Sequence, residues 1–579
     1  MTQEIRNLTL AIVLSMLVLL AWGIFVEKPR HEEQLRLAEL KKQSDLAAKS
    51  VNSDVTLPNS DSLNSPISTA PMKREEIIAG TERIQIKSEK LSGSISLKGL
   101  RFDDLVLNGY KKTIDKNSPN YELLSPSGGA DVYFSEFGWV SSRTDLVIPN
   151  SNTIWKSDKK VLTPDEPVTL TWNNGNGLIF SKKIELDKNY LFKITQSVQN
   201  NSDKEYNFAA YGLVNRTKEP YSDFIISHEG VLGVFNGVLN DEHTYNDLVA
   251  DVEPGKKQKF ENVTGWIGMT DHYWLTAIIP ADNQIFNASY GYNVANNVPR
   301  YQAEYLSQLQ KSEPGKKIEV TNYFYAGAKV VSILEMYQEK LSIPLFDRAV
   351  DFGYLYFLTR PIFWVLDKFE NILNNFGLAI LLLTVCIKIL LFPLANKGFI
   401  AMNKLKVLQP QLMELKDRFK EDKIGLQREM MELYKREKVN PMSGCLPILI
   451  QIPIFFALYK VLFVTIEMRH APFYGWIDDL SAADPTTLFN LFGLLPFTPP
   501  SFLMIGAWPC IMMITMILQQ KLNPPPTDPV QANVIKLLPF VFVFMFANFP
   551  AGLIIYWAWS NSLSILQQWM IAKILPAKR

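Results

Sequence analysis

The sequence predicts a polytopic α-helical membrane protein of six spans, five of them forming one core, with a large external antiparallel β-sandwich. Three observations predict it. The chain's 579 residues exceed one ordinary domain. Apolar runs of about twenty residues, long enough to cross a bilayer as helices, stand near the N-terminus and again after residue 375. The long polar stretch between them carries a strand period. The summary values, 47% hydrophobic and net charge +1, average these two unlike halves. Such a near-neutral balance argues against nucleic acid as the main partner.

Residues 1–26 read as an uncleaved membrane anchor. Leu8 to Val26 is nineteen residues without a charge, and "AWGIFVEKPR" offers no small-x-small cleavage site. Residues 27–80 run from a charged, helical stretch into "SVNSDVTLPNSDSLNSPISTAP". That composition buries too little apolar surface to fold and predicts a flexible external tether.

Residues 81–340 alternate as strands do. Ile84 and Ile86 alternate, as do Ile95 and Leu97, then Val168, Leu170 and Trp172. "TWNNGNGLIF" turns through Asn-Gly into the next strand, Phe192, Ile194, Gln196 and Val198 continue the pattern, and "KIEVTNYFYAG" closes it. Strands without intervening helices predict an antiparallel β-sandwich. His228, His243 and His272 have no metal-ligand spacing and no nucleophile motif beside them, so this domain reads as non-catalytic. The three cysteines, Cys386, Cys445 and Cys510, all sit in spans. An external domain without disulfides needs a real core.

Residues 346–370 are amphipathic and aromatic-rich, and predict a helix lying on the outer interface. The second span follows at 376–395. The cytoplasmic segment 396–441 repeats Leu405, Leu408, Leu412, Leu415 and Phe419 at spacings of three and four; after "EDKIG", Leu426, Met430 and Leu433 resume the pattern. That seam predicts a helical hairpin. Residues 445–571 supply four further spans (445–465, 501–520, 534–548 and 551–571), and 572–579 form a basic cytoplasmic tail.

Orientation follows from Lys and Arg in the loops. Segment 396–441 holds eleven and the 466–487 loop one, Arg469. The hairpin, the 521–533 loop and the C-terminus therefore face the cytoplasm. With six spans the N-terminus does too, and the β-domain lies outside. Lys28 and Arg30 outnumber Arg6 across the first span, a local count that a long translocated domain overrides.

Within this plan, "NPMSGCLPILIQIPIFFALY" (440–459), "APFYGWIDDLSAADP" (471–485) and "FPAGLIIYWAWSN" (549–561) resemble the bacterial membrane-protein insertase YidC family. Order and spacing match over 376–571, and the anchor with a large external domain resembles the Gram-negative form. The resemblance implies an inner-membrane insertase and folding chaperone for nascent membrane proteins, working among membrane lipids, alone or beside the Sec translocon. It also implies a supersandwich-type periplasmic domain. The family's arginine five residues before a proline in the second span corresponds here to Lys388, a departure that keeps the charge. Its other groove positions fall on Thr384, Tyr556 and Ser560, and Trp557 stands where the family has the second tyrosine of a pair. Residues 488–500 look like an extra apolar external loop.

Physically, a charge in mid-span costs roughly 2.5–3.5 kcal/mol on insertion scales, so Lys388 needs a reason. Thr384 and Lys388 lie four apart, on one helical face; Ser560, Asn561, Ser564 and Gln568 are expected to share a face of the last span. Polar faces in membranes belong against each other or against water. Together they predict a hydrated groove, open to the cytoplasm and to lipid, that holds the polar flank of an incoming chain. No bond is made or broken, no enzyme is implied, and neither a cofactor nor a metal is called for. The alternatives are a snorkelling Lys388, serines acting as interhelical glue, and an ion- or proton-coupled transporter using Lys388. Paired broken helices in repeated halves, which transport would favour, are absent from the sequence. Paired aspartates, a Ser/His dyad and HExxH, the marks of an intramembrane protease, are also absent. The basic hairpin and tail form a surface that would approach ribosomal RNA.

Overall fold

The computed structural model describes residues 72–219, 227–241, 243–295, 297–419, 422–439, 446–497, 499–500, 503–523 and 529–574. The expected anchor, the tether as far as residue 71 and the tail beyond 574 lie outside the described residues. Two compact units meet in sequence at Ala349 and Val350.

The first unit is a two-sheet sandwich. Its eleven-stranded sheet runs Lys257–Val263, Phe286–Ala295, Val298–Ser307, Tyr206–Thr217, Tyr133–Ser141, Arg101–Lys111, Leu91–Ser96, Arg83–Lys87 and Val161–Leu162, with Asn120–Leu124 and Gln310–Ser312 pairing off this path. The nine-stranded sheet runs Val238–Asn240, Gly230–Phe235, Gly265–Thr270, Trp274–Pro280, Lys317–Ala328, Leu191–Asn200, Leu178–Leu186, Val168–Asn173 and Lys156–Ser157. The alternation read from sequence maps onto burial: Ile84, Ile86, Val168, Leu170, Phe192, Ile194 and Val198 all point into the core. The Asn-Gly segment joins Val168–Asn173 to Leu178–Leu186, with Gly175 and Gly177 at φ 77° and 87°, a region that favours glycine. Among the described residues antiparallel pairing has one exception: Gln85 and Ile86 lie parallel to Val161 and Leu162.

Aromatic rings from both sheets fill the space between them. Phe102 of one sheet meets Phe192 and Phe324 of the other at ring-centre distances of 5.3 and 5.4 Å, and Phe137 meets Phe324 at 5.7 Å. Edge-to-face packing of this kind adds to plain area burial. It supplies the core that a disulfide-free external domain requires. Polar links also cross the gap. Tyr133 and Thr276 share a hydrogen bond of 2.7 Å. Lys182 donates to the Phe137 carbonyl and lies over the Trp155 ring at 4.8 Å. Desolvation pushes the buried Lys182 ammonium from its ordinary 10.5 down to about 7, against the opposing attraction of the Glu136 carboxylate.

Among the described residues three short α-helices decorate the sandwich: α1 (Arg74–Ala79), α2 (Tyr245–Asp251) and α3 (Val331–Leu341). The expectation of a tether through residue 80 needs correction at its end. Arg74 pairs with Asp104, and the Met72 amide donates to Gly128 at 3.0 Å, so 72–80 belong to the fold.

The second unit holds α4 (Tyr356–Leu373), α5 (Phe376–Leu390), α6 (Phe392–Arg418), α7 (Lys423–Arg436), α8 (Leu446–Val464), α9 (Ala507–Leu522), α10 (Pro529–Phe546) and α11 (Ala551–Ile574). The helix expected over 346–370 starts only at Tyr356. Phe346, in a 3-10 turn of the first unit, is drawn against Trp266 and Tyr325 at 5.3 and 5.5 Å, and Gly353 (φ 70°) breaks the chain between. The 376–395 stretch is likewise divided. Helices α5 and α6 meet at a 68° bend, because Pro393 lacks an N–H and its ring blocks the preceding turn. Helices α6 and α7 close around Leu408, Leu412, Leu433 and Val439, flanked by Leu405, Leu415 and Met430.

By length and composition, no single helix among the described residues is long and apolar enough to cross a membrane; the bent pair α5–α6 is. The six-span count predicted from sequence rests on longer, purer runs. Among the described residues the apolar stretches Ile450–Val464 and Ala532–Phe546 are shorter than those runs, α9 has 16 residues, and hydroxyls and amides dilute α11.

Candidate functional site

Helix α5 begins at Asn375, whose side chain accepts the Leu378 amide at 3.0 Å and so caps an otherwise open first turn. Gly377 is required next: a Cβ there would sit 2.0 Å from the Phe473 ring. The helix then presents Thr384 and Lys388 one turn apart. Thr384 is buried and satisfies its hydroxyl on the Ile380 carbonyl at 2.7 Å.

Lys388, half-buried, reaches across to α11. Its Nζ donates to Ser564 Oγ at 2.7 Å, and that hydroxyl donates to the Ser560 carbonyl at 3.0 Å. From α8, Gln451 Nε2 donates to Ser560 Oγ at 2.8 Å. Tyr556, Ser560 and Ser564 follow one another at four-residue spacing, so α11 turns a single polar stripe toward α5 and α8.

These side chains line a cavity with about 840 Å³ of empty space, counting its mouth. Thr384, Lys388, Tyr556 and Ser560 contribute to its wall, and α6 closes one side with Leu394, Phe399 and Met402. Ile387, Leu391, Ile450 and Ile454 add apolar surface to the wall. Among the described lining residues there is no Asp or Glu.

Trp557 is not in this wall. It turns away into an aromatic cluster, 4.8 Å from Phe455, 4.9 Å from Phe546 and 5.8 Å from Phe542. One residue along a helix is a rotation of about 100°, and that rotation moves Trp557 from the polar stripe into packing. Asn561 departs for the same reason: its Nδ2 donates to Thr515 Oγ1 of α9 at 3.3 Å, an interhelical bond.

Sequence reasoning missed four polar members of the wall. Gln451, Gln519, Asn523 and Gln567 all line it. Gln451 had a visible signal, as the one polar side chain in "LPILIQIPIFFALY". Gln567 is buried, and its Nε2 has no hydrogen-bond partner within the protein. Among the described residues no group of His, Cys, Asp and Glu is arranged to hold a metal.

Residues 83–365 match the family description "YidC periplasmic domain", and residues 368–578 match "60Kd inner membrane protein". The chain is 47% identical over 575 residues to the membrane protein insertase YidC of Rickettsia canadensis (strain McKiel), covering 99% of this chain and 100% of that one. It is equally 47% identical over 576 residues to that of Rickettsia bellii (strain OSU 85-389), with the same coverage. A crystal structure of an active YidC insertase with its first transmembrane domain resolved aligns over 89% of this chain and 95% of that one, at 15% identity and TM-score 0.36. Two family matches that together span nearly the whole chain, and near-half identity over its full length, lead to one conclusion: this chain belongs to the YidC family of membrane protein insertases, inner-membrane proteins with a periplasmic domain.

Proposed function

We propose that this chain inserts nascent membrane proteins into the inner membrane by holding their polar flanks in the Lys388 cavity. One observation carries the reading: a lysine, two serines and a glutamine from three different apolar helices converge on a single space. A polar space walled by apolar helices keeps part of a translocating chain hydrated while its apolar segment passes to lipid. The cationic Nζ attracts acidic flanks, and the α8 and α10 surfaces give the apolar segment a greasy path. Nothing is bonded covalently, so the protein acts as an insertase and folding chaperone rather than as an enzyme.

The accompanying topology is part of the proposal. The chain crosses the membrane six times, through an N-terminal anchor and five core spans, with both termini in the cytoplasm and the sandwich in the periplasm. The α4 helix rests on the outer interface, exposing Phe357 and Trp364, with exposed Tyr354 just ahead of it. The cavity faces the cytoplasm and lipid, so α6, α7 and the basic tail meet the ribosome there. The Sec translocon is a partner for clients with large translocated parts.

Photo-crosslinking tests it. Probes at Met402, Gln451 and Gln519 should capture a client's flank during insertion, and probes on exposed Phe540 and Phe544 its apolar segment. Capture of neither, together with ion flux through the reconstituted protein, would favour a transporter.

A further inference from the structure

Between α8 and α9, residues 488–500 ("LFNLFGLLPFTPP") form a loop that the insertion reading does not use. We propose that this loop is a lipid anchor, its tip immersed in the acyl boundary of the outer leaflet. The proposal rests on the reading that α8 and α9 cross the bilayer with this loop outside.

The tip is apolar and unpartnered. Phe489, Leu491, Phe492, Leu494 and Phe497 are all exposed, Leu494 at 80%. An exposed apolar patch of this density marks an interaction surface. No Asp, Glu, Lys, Arg or His occurs between Asp484 and Lys521.

The loop is also internally closed. The buried Asp484 carboxylate gathers its base, accepting from Trp476 Nε1 (3.1 Å), Thr486 Oγ1 (2.7 Å) and the Trp508 amide (2.8 Å). Gly506 makes room for it, since a Cβ there would meet the Asp484 carboxyl at 2.4 Å. The Leu488 amide donates to the Ile505 carbonyl at 2.8 Å. At the tip, the Phe492 amide donates to Thr487, and Asn490 receives the Gly493 amide while its own amide donates to the Phe497 carbonyl. Thr487 Oγ1 is spent on the Leu503 carbonyl. Backbone that enters lipid must satisfy itself in this way. A protein partner would need directional polar groups at the rim, and among the described residues of the loop Thr487 and Asn490 turn theirs inward. The chemistry therefore favours lipid over a client or a second copy.

Position agrees. Helix α9, which follows the loop, also exposes Ile511, Ile514 and Leu518. With 16 residues, α9 is about 24 Å long at 1.5 Å per residue, short of a ~30 Å hydrocarbon core. An apolar loop at its outer end supplies the missing cover.

The test uses the full chain in phosphatidylethanolamine/phosphatidylglycerol vesicles, with Cys386, Cys445 and Cys510 changed to Ser. Single spin labels go at Leu494→Cys, at Phe544→Cys as the span reference and at Lys159→Cys as the aqueous reference. Collision with oxygen and with a water-soluble nickel chelate reads depth. Nickel accessibility at 494 about tenfold below that at 159 is the expected result. Equal accessibility at 494 and 159, with 544 immersed, overturns the loop proposal alone; an aqueous 544 overturns the span reading itself. A label at 494 that is wet in empty vesicles and shielded only when a client is added makes the loop a client site and refutes lipid anchoring. Photoactivatable phospholipids on the unsubstituted protein give a second readout: label on 488–500 supports the anchor, and label confined to the helices overturns it.

Discussion

Substituting Lys388 by arginine, methionine, alanine and glutamate separates its charge from its stem. A client carboxylate that takes the place of Ser564 would come within about 4 Å of Nζ, where the Coulomb term is about 4 kcal/mol at an effective dielectric of 20. Removing both charges from water returns much of this, leaving a net gain on the order of 1.5 kcal/mol, or about tenfold in occupancy. Lys388→Met and Lys388→Ala should therefore slow insertion of Asp- or Glu-bearing tails about tenfold and spare neutral tails. Lys388→Glu, where attraction becomes repulsion, should slow acidic tails about a hundredfold. Lys388→Arg should stay close to the unsubstituted protein. Protein level should hold in all four, because the native side chain loses one hydrogen bond, to Ser564, worth about 1 kcal/mol. The assay is insertion of paired single-span clients that differ only in tail charge, into vesicles holding each variant. Equal rates for acidic and neutral tails across the series would refute charge steering and leave Lys388 a snorkelling residue.

Three further outcomes are expected. Lys182→Met should stabilise the sandwich at pH 6.5 by on the order of 3 kcal/mol. The gain should shrink between pH 7 and 10.5, since only there does the unfolded lysine hold a proton the folded one has lost, so native stability itself climbs with pH; urea melts at pH 6.5 and 9.5 that show no difference would remove desolvation as the cause. Trp557→Ala should cost about 3 kcal/mol by emptying a cluster of Phe455, Phe542 and Phe546, while Trp557→Phe keeps most of both stability and insertion; a loss of insertion in Trp557→Phe at normal protein level would instead assign it to the cavity. Ribosome binding by the solubilised protein should fall steeply with salt; salt-insensitive co-sedimentation would take the eleven basic residues of 396–441 out of that contact.

The helical face with Thr384 and Lys388 was legible because four-residue spacing fixes it without tertiary information. Its partner was only half legible: a stripe of hydroxyls on the last helix was plain, but the Lys388–Ser564 pairing joins residues 176 apart in sequence. Asn561 and Trp557 fell outside because contiguity in a motif is not contiguity on a helix. The bend at Leu391 had its cause in view, Pro393, yet an unbroken apolar run masked it. In the sandwich, alternation gave strand positions and inward faces, as at Phe192 and Ile194. Strand order was beyond reach, since period-2 patterning does not say which edges meet.

The place of Lys317–Ala328 has a temporal consequence. This strand lies inside the nine-stranded sheet, hydrogen-bonded on one side to Leu191–Asn200 and on the other to Trp274–Pro280. It is also the last strand of the chain to be synthesised. Until it arrives, the two halves of that sheet have no edge in common, and the Phe102–Phe192–Phe324 contacts cannot close. Pairings so distant in sequence are slow to form. If its strands are delivered in sequence order, some 250 residues stay unlocked until residue 328 emerges, 48 residues ahead of Phe376. Closure of the sheet would then be one of the last steps before the helices after residue 376 are made.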